Sequence, residues 1–533
     1  MIARKLLLPV LLIAAAVRVW GLGFGLPYAG SRVDETAVAG PAVQFLSGSL
    51  RPPNFMYPTG LLYAVAILYV AWFAINRPFG TYTSLAAFAE SRRQSLAPFF
   101  YVSRGLSAAM GTLTVWWVFA ICRRVFDETV AIVAALFMAL AFLHVRDSHF
   151  GTLDVSMTAL VVLSVRMILR WQDAPGWRRA AAAGLVAGLA TSTKYNAFAV
   201  WVPWVVALAM RAIADRQSAK VALRRSAAAL ASFSAAFAAG FFGATPYALV
   251  AWSQLVADLK AQGATLAQGH GLALSRGWWH HSVVTLPAAL GWPLYLAGVA
   301  GGAGLLLTRW RASAVVLAFP LAYFLVAGSG YRVFARDMLP ILPFLCMTAA
   351  WLTSAAVRAI LPPRRHTARA WTTAAVALAF VAPSARNVVL LDRVLTRADN
   401  RVIVARELAA LIPSGSLVYQ SGESYGRIPF GLSDPPLRVE TCEFDETSAT
   451  FTCGGRFPDW IILQRSPLVL YSRVPAAVER IVRERYERVR EFKVADERPS
   501  RRYDQQDALF LPLTGLEGVE RMGPKFEINR LRQ

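Results

Sequence analysis

The sequence is poor in cysteine, in acidic residues and in nucleotide or nucleophile motifs. Four cysteines in 533 residues exclude a disulfide scaffold as the source of stability. Cys122 and Cys346 fall in apolar runs and read as inert core residues. Cys442 and Cys453 lie close together in the polar C-terminal part and pair only if that part is outside the cytoplasm. Asp and Glu number 32 against 55 Lys and Arg, a net charge of +23. In a soluble chain that balance points to nucleic acid. Here the basic residues outside the C-terminal part cluster in short segments between apolar runs, the signature of cytoplasmic loops, so no nucleic-acid partner is expected. There is no Walker A loop, no G-x-S-x-G elbow and no zinc-protease pattern. Histidines number six, and His270, His280 and His281 share one segment without metal-ligand spacing. No metal and no cofactor is expected, and no internal repeat of the kind that marks many transporters is visible.

What the chain has is apolar length. It is 56% hydrophobic, with a mean hydropathy of +0.44. Apolar runs recur near 6–26, 59–75, 98–121, 128–145, 153–169, 180–213 (room for two short spans), 226–246, 283–308, 312–328, 338–357 and 371–390. They predict an all-α polytopic membrane bundle. The N-terminus resembles a signal peptide, but its apolar run is too long and reads as an uncleaved first span. The basic pairs Arg4/Lys5, Arg123/Arg124, Arg178/Arg179 and Arg309/Arg311, with the 211–225 and 358–369 segments, should be cytoplasmic. Parity then requires an even number of spans between Lys5 and Arg123, where three apolar runs lie. The 59–75 run, between Tyr57-Pro58 and Asn76-Arg77-Pro78, is the weakest and is expected to lie along the outer interface or to be half-inserted. About eleven transmembrane helices remain, with the N-terminus inside.

Beyond residue 390 the pattern changes to that of a small extracytoplasmic α/β domain. Strands are predicted at Ser416–Gln420, Trp460–Leu463 and Ala508–Leu511, and helices at Val402–Leu411 and Ala476–Tyr486. This gives two domains, a transmembrane domain over 1–390 and an accessory domain over 391–533.

The polar residues that chemistry would use fall at the outer ends of the spans. Asp34-Glu35 follows the first span, where an ionised carboxylate stays wet while facing a lipid-borne group; solvated loop charge is the alternative. Arg146-Asp147-Ser148-His149 precedes Asp154, which opens an apolar run and must be paired or act as a helix N-cap. Lys194-Tyr195 interrupts the 180–213 run. It is placed either to bind a lipid phosphate or to snorkel beside an interfacial tyrosine. Arg104 starts another span, and Arg332 and Arg336 flank a turn leading to Pro340. Arginines converging with a lysine would hold a phosphate well.

Several short motifs in this order resemble a known family. They are Asp34-Glu35 after the first span, Tyr57-Pro58 before the next run, and Arg104 in R-x-L-S-A-x-x-G. Arg146 with Asp154, the stretch GLATSTKY from Gly188 to Tyr195, and Arg336 ahead of Leu339-Pro340 complete the set. The chain resembles the membrane-embedded GT-C glycosyltransferases of the dolichyl-phosphate-mannose–protein mannosyltransferase and aminoarabinose transferase type. The resemblance implies a bacterial cytoplasmic-membrane enzyme with a polyprenyl-phosphate-linked sugar as donor and a protein, lipid or glycan acceptor. It also implies single displacement with inversion. Asp34 would be the base, with Glu35 and Asp154 shaping its site, and Arg104, Lys194 and Arg336 would hold the leaving phosphate. Arg146, His149, Tyr195 and Arg332 are further candidates. The pattern departs from the family at Asp337, where a tyrosine is usual. A polytopic transporter or lipid flippase is the alternative reading.

Overall fold

The computed structural model describes residues 2–214, 219–272 and 274–532. It divides into two compact units. The first contains Met1–Val19, Val38–Ser91 and Phe99–Val389; the second contains Trp20–Ala37, Arg92–Pro98 and Leu390–Gln533.

The first unit is mostly helical. Among the described residues, seven helices are long and apolar enough to cross a membrane, or eight if the bent pair Glu128–Ala139 and Phe142–Ser148 is counted as one span. The chain is therefore an integral membrane protein with a polytopic helical fold. Three further runs predicted as spans, Ile2–Val19, Leu153–Asp173 and Trp177–Thr193, are also helical. The 59–75 run, expected to lie along the surface, forms the helix Gly60–Asn76, and Gly60–Phe79 qualifies as a span by length and composition. The runs 283–308 and 312–328 join as Trp292–Ala327, interrupted at Arg309, whose φ of −141° and ψ of 33° are not helical. Of the basic segment 211–225, Arg216 lies outside the described residues.

Two features explain how this unit packs. The 57° bend between Glu128–Ala139 and Phe142–Ser148 frees backbone groups that must be satisfied away from water. Arg18, at the end of the first helix, donates to Ala139 O at 3.0 Å and Met138 O at 3.3 Å, and its other guanidinium nitrogen meets His144 Nδ1 at 3.1 Å. Ser384 donates to Leu140 O at 2.7 Å and accepts from Phe142 N at 2.9 Å. Elsewhere glycine permits backbone-to-backbone approach. A Cβ on Gly184 or Gly188 would lie 2.2 Å from the carbonyl oxygens of Phe233 and Phe237, so Trp177–Thr193 packs directly onto Ala219–Ala244.

The second unit is built on a mixed sheet. Its strands are β1 (Leu417–Gln420), β2 (Glu440–Cys442), β5 (Trp460–Arg465), β6 (Tyr486–Phe492) and β7 (Lys525–Leu531), in the order β2-β1-β5-β7-β6. The short pair β3 (Phe444–Asp445) and β4 (Thr450–Phe451) stands apart. β1 runs parallel to β2 and β5, while β7 is antiparallel to β5 and β6. Side chains alternate between two cores. Val418, Trp460, Ile462, Phe526 and Ile528 meet Val404 and Leu408 of the helix Asn400–Leu411. Leu417, Tyr419, Ile461 and Leu463 meet Val478 of the helix Ala476–Arg485. A strand covered on both faces reads as a continuous apolar run, as Trp460–Leu463 does. Ala508–Leu511, predicted as a strand, is irregular; Phe510 packs against Leu468 and Tyr471. Cys442 and Cys453 form a disulfide with a Cα–Cα distance of 5.5 Å.

Candidate functional site

Some of the ionisable residues singled out from the sequence gather in two clusters, one in each unit.

In the first unit the cluster is centred on Lys194. This residue caps the helix Trp177–Thr193, where the chain turns into a short 3-10 segment. Its Nζ donates to Asp154 Oδ1 at 2.6 Å and to Asp337 Oδ1 at 3.3 Å. Asp337 also accepts from Arg332 Nε at 3.2 Å, and Arg332 Nη1 donates to Gln262 Oε1 at 3.2 Å. Four elements therefore share one chain of charges: the first turn of Leu153–Asp173, the end of Trp177–Thr193, the turn before Leu342–Ile360, and the outer helix Trp252–Gln268. Asp154 is not the N-cap of its helix; Thr152 is. The acid is paired instead, as a carboxylate in an apolar setting must be.

Arg332 is carried to Asp337 by close backbone contact. Tyr331 N and Arg332 N both donate to Leu266 O, and a Cβ on Gly330 would lie 1.9 Å from that oxygen. The Arg336 guanidinium lies 4.2 Å from the Phe334 ring centroid. Of the pair flanking the turn, Arg332 joins Lys194 through Asp337. His281 borders the same group. Burial pushes its imidazole down to about 4, against the attraction of Asp337 and with the repulsion of His280 and Arg332.

The remaining candidates of this unit are placed separately. Arg104 is fully buried, with its guanidinium 5.1 Å from the Phe100 ring. Arg146 pairs with Asp147 at 2.8 Å, and both are buried. His149 Nδ1 lies 3.0 Å from Val145 O within its own turn. Tyr195 donates to Phe55 O at 3.1 Å and packs against a small cluster around Leu255. Among the described residues, no group of three or more His, Cys, Asp or Glu is arranged to hold a metal.

In the second unit, Asp34 and Glu35 open the helix Val33–Phe45, where the helix dipole favours acids. Asp34 is partly exposed and Glu35 is buried. The preceding residues are fixed on the C-terminal part of the chain. Ser31 Oγ donates to Asp399 Oδ2 at 3.0 Å, and Asp399 is held by Arg401 through bonds of 2.9 and 2.6 Å. The Arg401 guanidinium sits 4.7 Å from the Tyr28 ring centroid. Burial raises the Tyr28 phenol above its usual value, and the nearby Arg401 pulls it back. Arg32 reaches Asp507 at 2.5 Å and Asp34 at 3.2 Å. The adjacent acids make the Asp34-Glu35 pair conspicuous in the sequence. Gln262 and Asp507 carry no such mark, because their partners Arg332 and Arg32 lie tens to hundreds of residues away.

A polytopic helical unit and a unit built on a small mixed sheet give the chain an ArnT-like fold. Residues 101–240 match the dolichyl-phosphate-mannose-protein mannosyltransferase family. The fold is similar to that of ArnT from Cupriavidus metallidurans in the apo state, with a TM-score of 0.52 at 14% identity, covering 98% of this chain and 97% of that one. The same protein bound to undecaprenyl phosphate gives 0.50 at 16% identity, covering 82% and 85%. The Archaeoglobus fulgidus oligosaccharyltransferase in the apo form gives 0.53 at 14% identity, covering 79% of this chain. This chain spans 62% of that longer protein. No curated protein matches the sequence.

Proposed function

We propose that this protein is a bacterial cytoplasmic-membrane glycosyltransferase that moves a sugar from a polyprenyl-phosphate donor to an acceptor hydroxyl on the extracytoplasmic side. The observation that carries the reading is the match of nearly the whole chain to the fold of a protein solved with undecaprenyl phosphate. The family match over residues 101–240 supports it. In this reading about eleven transmembrane helices leave the N-terminus inside and the C-terminal domain outside, and the Cys442–Cys453 disulfide supports an oxidising side for that domain.

The step is a single displacement. Asp34 takes the proton of the acceptor hydroxyl as its oxygen attacks the anomeric carbon. The bond from that carbon to the phosphate oxygen breaks on the opposite face, and its electron pair leaves with the polyprenyl phosphate. Configuration inverts. Glu35 and Asp154 shape the site. Arg104, Lys194 and the Arg332–Arg336 turn stabilise the charge that develops on the leaving phosphate. Lys194 and Arg332 are already held by carboxylates, so an arriving phosphate competes with Asp337 for both cations.

The test is turnover of a radiolabelled polyprenyl-phosphate hexose by the full chain in nanodiscs. Wild type should release or transfer sugar, and Asp34→Asn should lose at least about a hundredfold in rate. Full activity of that variant would remove Asp34 from the role of base. A transporter or flippase would instead move the lipid between leaflets without consuming the glycosidic bond.

A further inference from the structure

The residues around Asp34 carry one inference beyond its proposed role. Arg32 is buried between two carboxylates, with 1% of its side chain exposed. Asp507 on one side is 4% exposed, and Asp34 on the other is 27% exposed. A buried guanidinium must be met by charge: Arg32 Nη1 donates to Asp507 Oδ1, and Nη2 faces Asp34 Oδ2 as an ion pair at 3.2 Å. The enclosed partner comes from the C-terminal part of the chain and the open partner is the acid at the start of Val33–Phe45. The backbone on either side is pinned by the same part of the chain. Tyr28 stacks on Arg401, Ser31 bonds Asp399, and Glu35 N closes a turn onto Arg32 O.

We propose that Arg32 is a positioning residue, through which Asp507 of the C-terminal domain holds the Asp34 carboxylate in one orientation. The domain beyond residue 390 then sets the geometry of the reacting acid instead of only handling an acceptor. The proposal rests on the reading of Asp34 as base, and the two can fail separately. A carboxylate paired with a fixed guanidinium samples fewer orientations than one in open solvent. Released, it samples other rotamers, and misplacement of a catalytic group by about 1 Å costs on the order of a hundredfold in rate.

The experiment compares wild type, Arg32→Ala, Arg32→Lys, Asp507→Asn and Asp34→Asn, as full chains in nanodiscs with a radiolabelled polyprenyl-phosphate hexose. Arg32→Ala should lower kcat by about 10- to 100-fold and leave KM for the donor within about twofold. Arg32→Lys should recover part of the loss, and Asp507→Asn should fall in between. Hydrogen exchange supplies a readout independent of turnover. In Asp507→Asn, residues 30–37 should exchange about tenfold faster, with the β5–β7 pairing unchanged. Wild-type kcat in Arg32→Ala beside an inactive Asp34→Asn would overturn this proposal alone. A raised KM with unchanged kcat would overturn it as well, because Arg32 would then be binding donor. Full activity of Asp34→Asn would instead sink the base assignment. If Arg32→Ala does not fold, the Lys and Asn variants decide. Unchanged exchange over 30–37 in Asp507→Asn refutes the link whatever the turnover.

Discussion

Lys194 illustrates how much a single side chain determines. Among the described residues, it is the cation whose ion pairs reach both Asp154 and Asp337, and each of those carboxylates is 5% exposed. Lys194→Gln leaves Asp154 without that cation and Asp337 with Arg332 alone. Thermal unfolding in detergent should register a loss of about 3–5 kcal/mol. Asp337→Asn should cost less, because Asp154 still pairs with Lys194. The sequence made Lys194 and Asp154 conspicuous because both interrupt apolar runs. It could not distinguish Arg332 from Arg336, four positions apart in one turn. That choice is made by the backbone bonds from Tyr331 and Arg332 to Leu266. Asp337, read as a departure from the family pattern, is explained by the two cations it holds. His281 makes the same neighbourhood sensitive to acid. Its folded value near 4 is below the usual 6.5, so the folded protein binds fewer protons there than the unfolded chain. The stability it contributes is fully present above about pH 6.5 and is lost as the pH falls towards 4. Wild type should therefore lose melting temperature between pH 7 and pH 4.5 more steeply than His281→Asn.

At the level of elements, hydropathy predicted helices well and their ends poorly. Gly188, noted as part of a motif, has a mechanical role. With no Cβ it lets two helices touch through the Phe237 carbonyl. Gly188→Leu should push them apart, cost about 1–3 kcal/mol and lower the yield of folded protein on size-exclusion chromatography. The strands missed from the sequence share a cause. β6 is highly charged and mostly exposed, so it reads as an extension of the helix before it. β7 alternates Phe526 and Ile528 with polar residues over only seven positions. Ala508–Leu511 shows the converse: its apolar residues fill a core without joining the ladder. The break at Arg309 was legible because two basic residues interrupt a run that would otherwise be continuous.

For the whole molecule, the prediction concerns sidedness. Reporter fusions near residue 120 should report the cytoplasm and fusions near residue 400 the outside. Cys442 and Cys453 should resist alkylation in cells until a reductant is added, while a variant retained in the cytoplasm should react at once. The overall class was readable because apolar length and basic loops are local properties of the chain. The division into units was not, because contacts distant in sequence create it. A boundary at 390 follows the change in composition, whereas the compact second unit also takes in Trp20–Ala37 and Arg92–Pro98.

That discontinuity has a consequence for biosynthesis. The segment bearing Asp34 is translated hundreds of codons before Asp399, Arg401 and Asp507. During that interval the nascent chain carries its acids without the partners that orient them. The sheet of the second unit cannot close before β7 has been made, since β7 lies between β5 and β6. A ribosome that stalls between Asp34 and Asp507 would therefore leave Arg32 without its enclosed partner. The second unit would close late and abruptly, once β7 is available to separate β5 from β6.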